Sequence, residues 1–171
     1  VANDASLVRV AAAGKIYHAP VGTTLPTDTT TALAIGFVEV GYISDEGVSA
    51  DPEESTSDIR AWGGDLVRRV INEYGETYGF TMLETNANSI EAYYGNGDET
   101  AWEGKQAEIR KAWVLHITDG AAIRRIVLPD AQVTDRGGIT YATSEAIAYP
   151  VTVSTYPNGT GVHSFHYASV A

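Results

Sequence analysis

The sequence predicts a mainly β domain with a single helix (α+β, dominated by strands), and three observations carry that reading. First, two runs alternate with period two. In 73–84, Tyr74, Glu76, Tyr78, Phe80 and Met82 share one face, while Glu73, Gly75, Thr77, Gly79 and Thr81 share the other. In 106–118, Ile109, Trp113, Leu115 and Ile117, with Lys111 interposed, lie opposite Glu108, Arg110, His116 and Thr118. Second, one segment carries helix punctuation: Asn86 or Asn88 as N-cap, a body over 90–94, and Gly95-Asn96-Gly97 as the stop, giving a helix over about 87–94. Third, Gly63-Gly64 and Asn158-Gly159 each sit between β-type runs, where a hairpin turn needs residues tolerant of unusual backbone angles.

The remaining elements follow in order. Residues 7–18 read as a first strand, 19–31, with its prolines and threonines, as a loop, and 35–43 as a second strand. Residues 44–57 read as an acidic loop that continues to the Gly-Gly turn, so that the loop as a whole spans about 44–64. Segments 57–61 and 66–71 are expected to be two arms of a hairpin. Segments 123–128 and 133–141 read as further strands, and 148–156 with 162–167 as a C-terminal hairpin spanning about 148–168. No internal repeat or linker appears, so 1–171 is read as one domain, with a size sufficient for a real core.

Composition narrows the function classes. Charged residues are 19% and apolar residues 44%, a globular balance. Eleven basic against 22 acidic residues give a net charge of -11, which speaks against gripping nucleic acid, since that requires basic groups to displace counterions. There are no cysteines, hence no disulfide framework and no thiolate metal site. Neither a signal-peptide pattern nor an apolar run of membrane-spanning length is found. Asn158-Gly159-Thr160 matches a glycosylation sequon but reads as a turn.

The charge is unevenly spread. Between Lys15 and Arg60 there is no lysine or arginine, but there are eight carboxylates: Asp28, Glu39, Asp45, Glu46, Asp51, Glu53, Glu54 and Asp58. The stretch ends in Arg60-Ala61-Trp62-Gly63-Gly64-Asp65. An acidic segment running into a Trp-Gly-Gly turn reads as a projecting surface that meets another protein. Conversely, Gly137 to Ala171 holds one charged side chain, Glu145. A strand edge in that segment is defended only by Pro150 and Pro157, which fits a central position in the sheet or cover by another subunit.

Catalytic signatures are missing. His163 and His166 have an H-x-x-H spacing, but on a strand positions three apart point to opposite faces, so they read as two unrelated histidines. His18 and His116 have no candidate partners nearby in sequence. No H-E-x-x-H, G-x-S-x-G, Walker-type or G-x-G-x-x-G motif occurs. The carboxylates lack an aromatic platform, Trp62 apart. Trp113 reads as core, Trp102 as packing the helix down, and Trp62, among turn residues, as a contact anchor.

Six segments, taken in order, resemble the major tail (tail tube) proteins of long-tailed, non-contractile bacteriophages, especially those of actinobacteria. They are 10–23 (VAAAGKIYHAPVGT), 26–33 (PTDTTTAL), 41–48 (GYISDEGV), 59–65 (IRAWGGD), 80–86 (FTMLETN) and 127–133 (VLPDAQV). Each is weak alone; their order and spacing over nearly the whole chain are specific. The resemblance implies a β-sandwich or barrel-like domain with one flanking helix. It implies six copies in a ring whose sheets join around a lumen, and rings stacked into a tube that conducts DNA and bounds the tape-measure protein. The implied place is the virion, in the tail tube, after synthesis in the host cytoplasm. Tail terminator and distal tail proteins are the implied further partners. No catalytic residue, cofactor or membrane comes with the family. A further C-terminal domain, common in the family, is not expected here.

Within that frame, candidate inter-ring or inter-subunit residues are Asp45, Glu46, Asp51, Glu53, Glu54, Asp58, Trp62, Gly63 and Gly64. Candidate complementary basic residues are Arg68, Arg69, Arg124 and Arg125, because a head-to-tail contact joins two different patches of one subunit. Candidate lumen residues are Glu73, Thr77 and Thr81, on the small polar face. Rival readings are a tube protein of a contractile injection or secretion system, a β-sandwich carbohydrate-binding or adhesin module, and an enzyme using paired carboxylates.

Overall fold

The structure, a computed structural model, describes residues 3–95 and 109–169. Trp102, Glu108 and the Asn96-Gly97 end of the expected helix stop lie outside the described residues. A short 3-10 turn, Ala5–Leu7, precedes eight strands and one helix. These are β1 (Ala13–Pro20), β2 (Val38–Glu39), β3 (Ile43–Arg60), β4 (Leu66–Met82), α1 (Ala87–Tyr94), β5 (Arg110–Asp119), β6 (Ala122–Arg136), β7 (Tyr149–Thr155) and β8 (Phe165–Ser169). The strands form one antiparallel sheet in the order β2-β1-β5-β6-β7-β4-β3, with β8 also on β6. The mainly β expectation with one helix holds.

The alternating residues of β4 and β5 build the core. Tyr78, Phe80 and Met82 are buried from one side and Trp113 and Leu115 from the other, joined by Val151 and Val153 of β7 and Leu128 of β6. Phe80 meets Trp113 edge to face, with ring centroids 5.7 Å apart. Two strands separate β4 from β5 in the sheet, so this contact requires the sheet to curl on itself, as a barrel does.

Helix α1 starts as the sequence predicts. The Asn86 side chain accepts from the N–H groups of Asn88 and Ser89, and Ser89 Oγ accepts from Asn86 N–H, a reciprocal cap. Gly95 ends it at φ +88, a left-handed angle that favours glycine. Lys111 of β5 reaches α1 with Nζ 2.6 Å from Glu91 Oε1, and His18 Nε2 lies 3.1 Å from the Asn88 carbonyl oxygen. The histidine that lacked a sequence neighbour thus finds its partners on the helix.

The other face of β5 and β6 is covered by the 21–37 segment, whose Pro26 and Thr29 are buried. Arg125 holds it there: one guanidinium nitrogen donates to the carbonyls of Asp28 (2.9 Å) and Thr31 (2.7 Å). The Asp28 carboxylate accepts from the N–H groups of Thr31 and Thr30, which lower its pKa to about 2.

Several boundaries differ from expectation. The first strand begins at Ala13, not at 7, and the 35–43 run holds only the two-residue β2 (Val38–Glu39) and, at Ile43, the start of β3. The acidic segment is not a loop: Ile43–Arg60 is a strand paired with β4 nearly throughout, because backbone hydrogen bonds to β4 impose extension that its polar sequence does not signal. The 123–128 and 133–141 segments form one strand ending at Arg136; Pro129 is accommodated in a bulge opposite β5, where no N–H is required. The C-terminal hairpin is absent as such. β7 and β8 do not pair with each other but lie end to end along one edge of β6, β7 on Ala131–Arg136 and β8 on Ile123–Val127. The Asn158 turn closes the 156–164 excursion between them, with Asn158 N–H bonded to the Val162 carbonyl at 2.9 Å. The length of β6 allows this: one edge accommodates both strands.

Candidate assembly surfaces

β7 ends opposite Thr77, and from there outward no further strand among the described residues pairs with β3 or β4. The two strands peel away as a bare two-stranded arm. From Leu66 to Glu76 it extends by roughly 35 Å at about 3.3 Å per residue. Every residue from 51 to 69 is exposed. At its tip, Ala61 and Asp65 close the turn through a 2.8 Å backbone bond, with Gly64 at φ +92. Trp62 stands on that turn at 107% exposure, and Ile59, Leu66, Val67, Ile71 and Tyr74 along the arm are also exposed.

The period-two geometry of β3 divides its acids. Asp51 and Glu53 register with Thr77 and Gly75 on the outer face; Glu54 and Asp58 register with Tyr74 and Arg69 on the face that continues the core side. Asp45 and Glu46 are exposed at the irregular start of β3, where pairing is interrupted between Ile43 and Val48. The acids of β3 therefore lie on both faces of the ribbon.

The basic candidates separate as clearly. Arg69 chelates Asp58 of its own arm at 2.8 and 3.3 Å. Arg125 is buried and engaged with the 21–37 segment, so it offers no surface to a neighbour. Arg68, near the arm tip, and Arg124, on β6, are exposed.

Glu73, Thr77 and Thr81 do share a face, Glu73 on the arm and the two threonines on the body. Around Thr77 and Gly79 that face is small and polar, with Pro150 opposite Thr81: Ser49 and Thr152 flank Gly79, Ser154 flanks Thr77, and Thr134 Oγ1 lies 2.7 Å from Ser154 Oγ. A Cβ on Gly79 would come within 2.8 Å of Ser49 Oγ, so the face stays flat there.

A cluster unseen in the sequence fixes the arm at its root. Glu76 accepts from Tyr74 OH at 2.6 Å and Tyr78 OH at 2.8 Å. Burial acts to raise the Glu76 carboxyl, but hydrogen bonds from Ser164, Tyr74 and Tyr78 outweigh it and hold the group below its ordinary value. Burial, and then the bond to Glu76, push the Tyr78 phenol up. His166 Nε2 lies 3.0 Å from Ser164 Oγ, and His163 Nδ1 lies 3.1 Å from Thr155 Oγ1, whose hydroxyl donates to the Glu76 carbonyl. The Tyr74 ring stands edge-on to His163. The H-x-x-H spacing was the one available signal, and the pair serves the arm's root through separate partners. Among the described residues no group of three or more His, Asp or Glu could hold a metal ion, and no helix is long and apolar enough to cross a membrane.

Comparison with known proteins agrees with this architecture. The tube-terminating cap of the anti-feeding prophage (AFP), solved by cryo-electron microscopy, superposes with a TM-score of 0.51 at 11% identity, over 90% of this chain and 88% of that one. That likeness concerns the fold. No curated protein matches the chain. The family described as phage tail tube protein matches residues 1–169. The chain therefore belongs to the phage tail tube protein family, a structural component of the virion tail and not an enzyme.

Proposed function

We propose that six copies of this chain close into a ring, that rings stack into the tail tube of a long-tailed, non-contractile phage of the actinobacteriophage kind, and that the β3–β4 arm is the element joining copies. The observation that carries the reading is the arm itself. An isolated two-stranded ribbon is marginal in water, yet this one carries five exposed large apolar side chains besides Trp62. A neighbouring copy that covers it removes both its bare edges and its apolar surface. Tape-measure, terminator and distal tail proteins are the partners this role implies.

The small polar face of Ser49, Asp51, Thr77, Thr81, Thr152 and Ser154 suits the lumen. Passing DNA must not be held, and even non-specific binding at about 10⁻⁴ to 10⁻⁶ M is worth roughly 5–8 kcal/mol. Short side chains keep the bore wide, and the absence of Lys and Arg between Lys15 and Arg60 leaves β3 without a cation before its last residue, Arg60, at the arm tip.

Negative-stain microscopy of the purified protein at low and high salt is the direct test. Six-fold rings or hollow tubes are expected; a chain that stays monomeric even with its companion tail proteins present would overturn the reading. Trp62→Ala is expected to reduce tube formation while leaving the monomer's circular dichroism unchanged. Normal tubes from that variant would remove the tip from the interface.

A further inference from the structure

The arm tip has a chemically complementary receptor elsewhere on the same chain. At the β5–β6 turn the body opens a cleft of about 540 Å³, within the roughly 300–1,000 Å³ of ligand-sized sites. Val10, Ile117 and Ala122 give it an apolar wall, and Arg9 and Arg124 contribute two guanidiniums. Its N-terminal wall is pinned by backbone bonds: Val10 N–H donates to Asp119 Oδ2 at 3.2 Å, and Ala12 N–H to the Thr118 carbonyl at 3.1 Å. Among the described residues, neither Arg9 nor Arg124 has an ion-pair partner.

We infer that Trp62 of one copy seats in this cleft of a neighbouring copy, its indole against Ile117 and Ala122, which share one face of the β5–β6 ladder with Arg124, and flanked by Arg9 and Arg124. The inference rests on the reading of the arm as the element joining copies, and adds the receiving surface. Three observations support it. The tip presents an indole with no cover of its own, and aromatic anchors filling desolvated pockets dominate interface energetics. The tip also carries Asp65, exposed and without an ion pair among the described residues, beside an indole face; the cleft supplies guanidiniums able to meet both, by charge and by cation–π contact. Finally, tip and cleft are different patches of one chain, so the contact is head-to-tail and propagates from copy to copy, as a tube requires.

The absence of native cysteine gives a clean test. Gly63→Cys places a thiol beside Trp62, where an added Cβ meets nothing within 4 Å. Ala168→Cys places one at an exposed position lining the cleft. Tubes co-assembled from the two single-cysteine chains are treated with a short bismaleimide and run on a denaturing gel. A covalent dimer in tubes, absent from the unassembled mixture, is the expected result. Tubes in which the thiol at the arm tip is protected from maleimide but no dimer forms would overturn the cleft as receptor while leaving the arm an interface. Tubes in which the tip thiol stays fully reactive would overturn both.

Discussion

His18 shows how one buried side chain makes the fold acid-sensitive. Burial, and then the nearby Lys111 ammonium, lower its pKa to about 4 from an ordinary value of 6.5. The folded pKa is depressed, so the unfolded chain takes up the proton first. Neutral His18 contributes fully above pH 6.5, and its contribution is lost as pH falls towards 4, by up to about 3 kcal/mol. His116, lowered by burial and by Arg125, acts in the same direction. Urea midpoints measured at pH 7.5 and pH 5 are expected to fall less for His18→Gln than for the parent chain. The two adjacent arginines of β6 make a second contrast at this scale. Arg125→Met removes two charge-assisted bonds to the 21–37 segment and is expected to cost about 2–3 kcal/mol in thermal unfolding. Arg124→Ala, at an exposed position, is expected to stay within about 0.5 kcal/mol while weakening tubes. Sequence reading grouped this pair as one basic patch; only the alternation of β6, which turns successive side chains to opposite faces, separates them.

The arm is the element whose root decides its direction. Tyr74 and Tyr78 both donate to Glu76, and the 156–164 excursion supplies Ser164 and His163 from the other side. Glu76→Leu leaves the buried Tyr78 hydroxyl without its acceptor, at about 1–3 kcal/mol. Because the arm's bearing changes as well, its tubes are expected to be fewer than that stability loss alone produces. The check compares tube yield with that of a core variant matched in unfolding midpoint. The alternation of 73–84 was legible because large and small residues occupy opposite faces, and α1 because its caps are local chemistry. The strand in 43–60 was not legible: its side chains are polar on both faces, and its extension is imposed by β4 across the ladder. The collinear placement of β7 and β8 was equally hidden, since it depends on the length of β6 and not on either strand's own residues.

At the scale of the whole molecule the governing quantity is charge distribution. The acids of β3 line both faces of an arm that extends away from the body, while exposed cations such as Arg9 and Arg124 sit at the β5–β6 end. Glu53→Lys with Glu54→Lys places a cation on each face of the arm. Stacking is expected to weaken at low salt, and the gap to the parent chain is expected to narrow as salt rises and screening shortens. Equal tube lengths at all ionic strengths would show that these acids take no part. The mainly β architecture with one helix could be anticipated from alternation and cap chemistry, and its barrel-like closure only from the family resemblance; the arm's separation from the body could not, because nothing in 51–69 announces that β7 stops short of it.

The stitching of the arm's root to the 156–164 excursion and β8 has a consequence in time. A ribosome releases the chain N-terminus first, so the arm emerges long before the residues that aim it. Until Ser164 and β8 are in place, Glu76 lacks one of its donors, and β6, which walls the tip's proposed receptor, lacks its edge partner. If the arm joins copies as proposed, a nascent chain has a binding element without a bearing, which would keep adjacent ribosomes on one message from knitting unfinished subunits together. Chains stopped after Ser164 are expected to remain unincorporated when mixed with growing tubes of the intact protein, a result that sedimentation of the mixture would read directly.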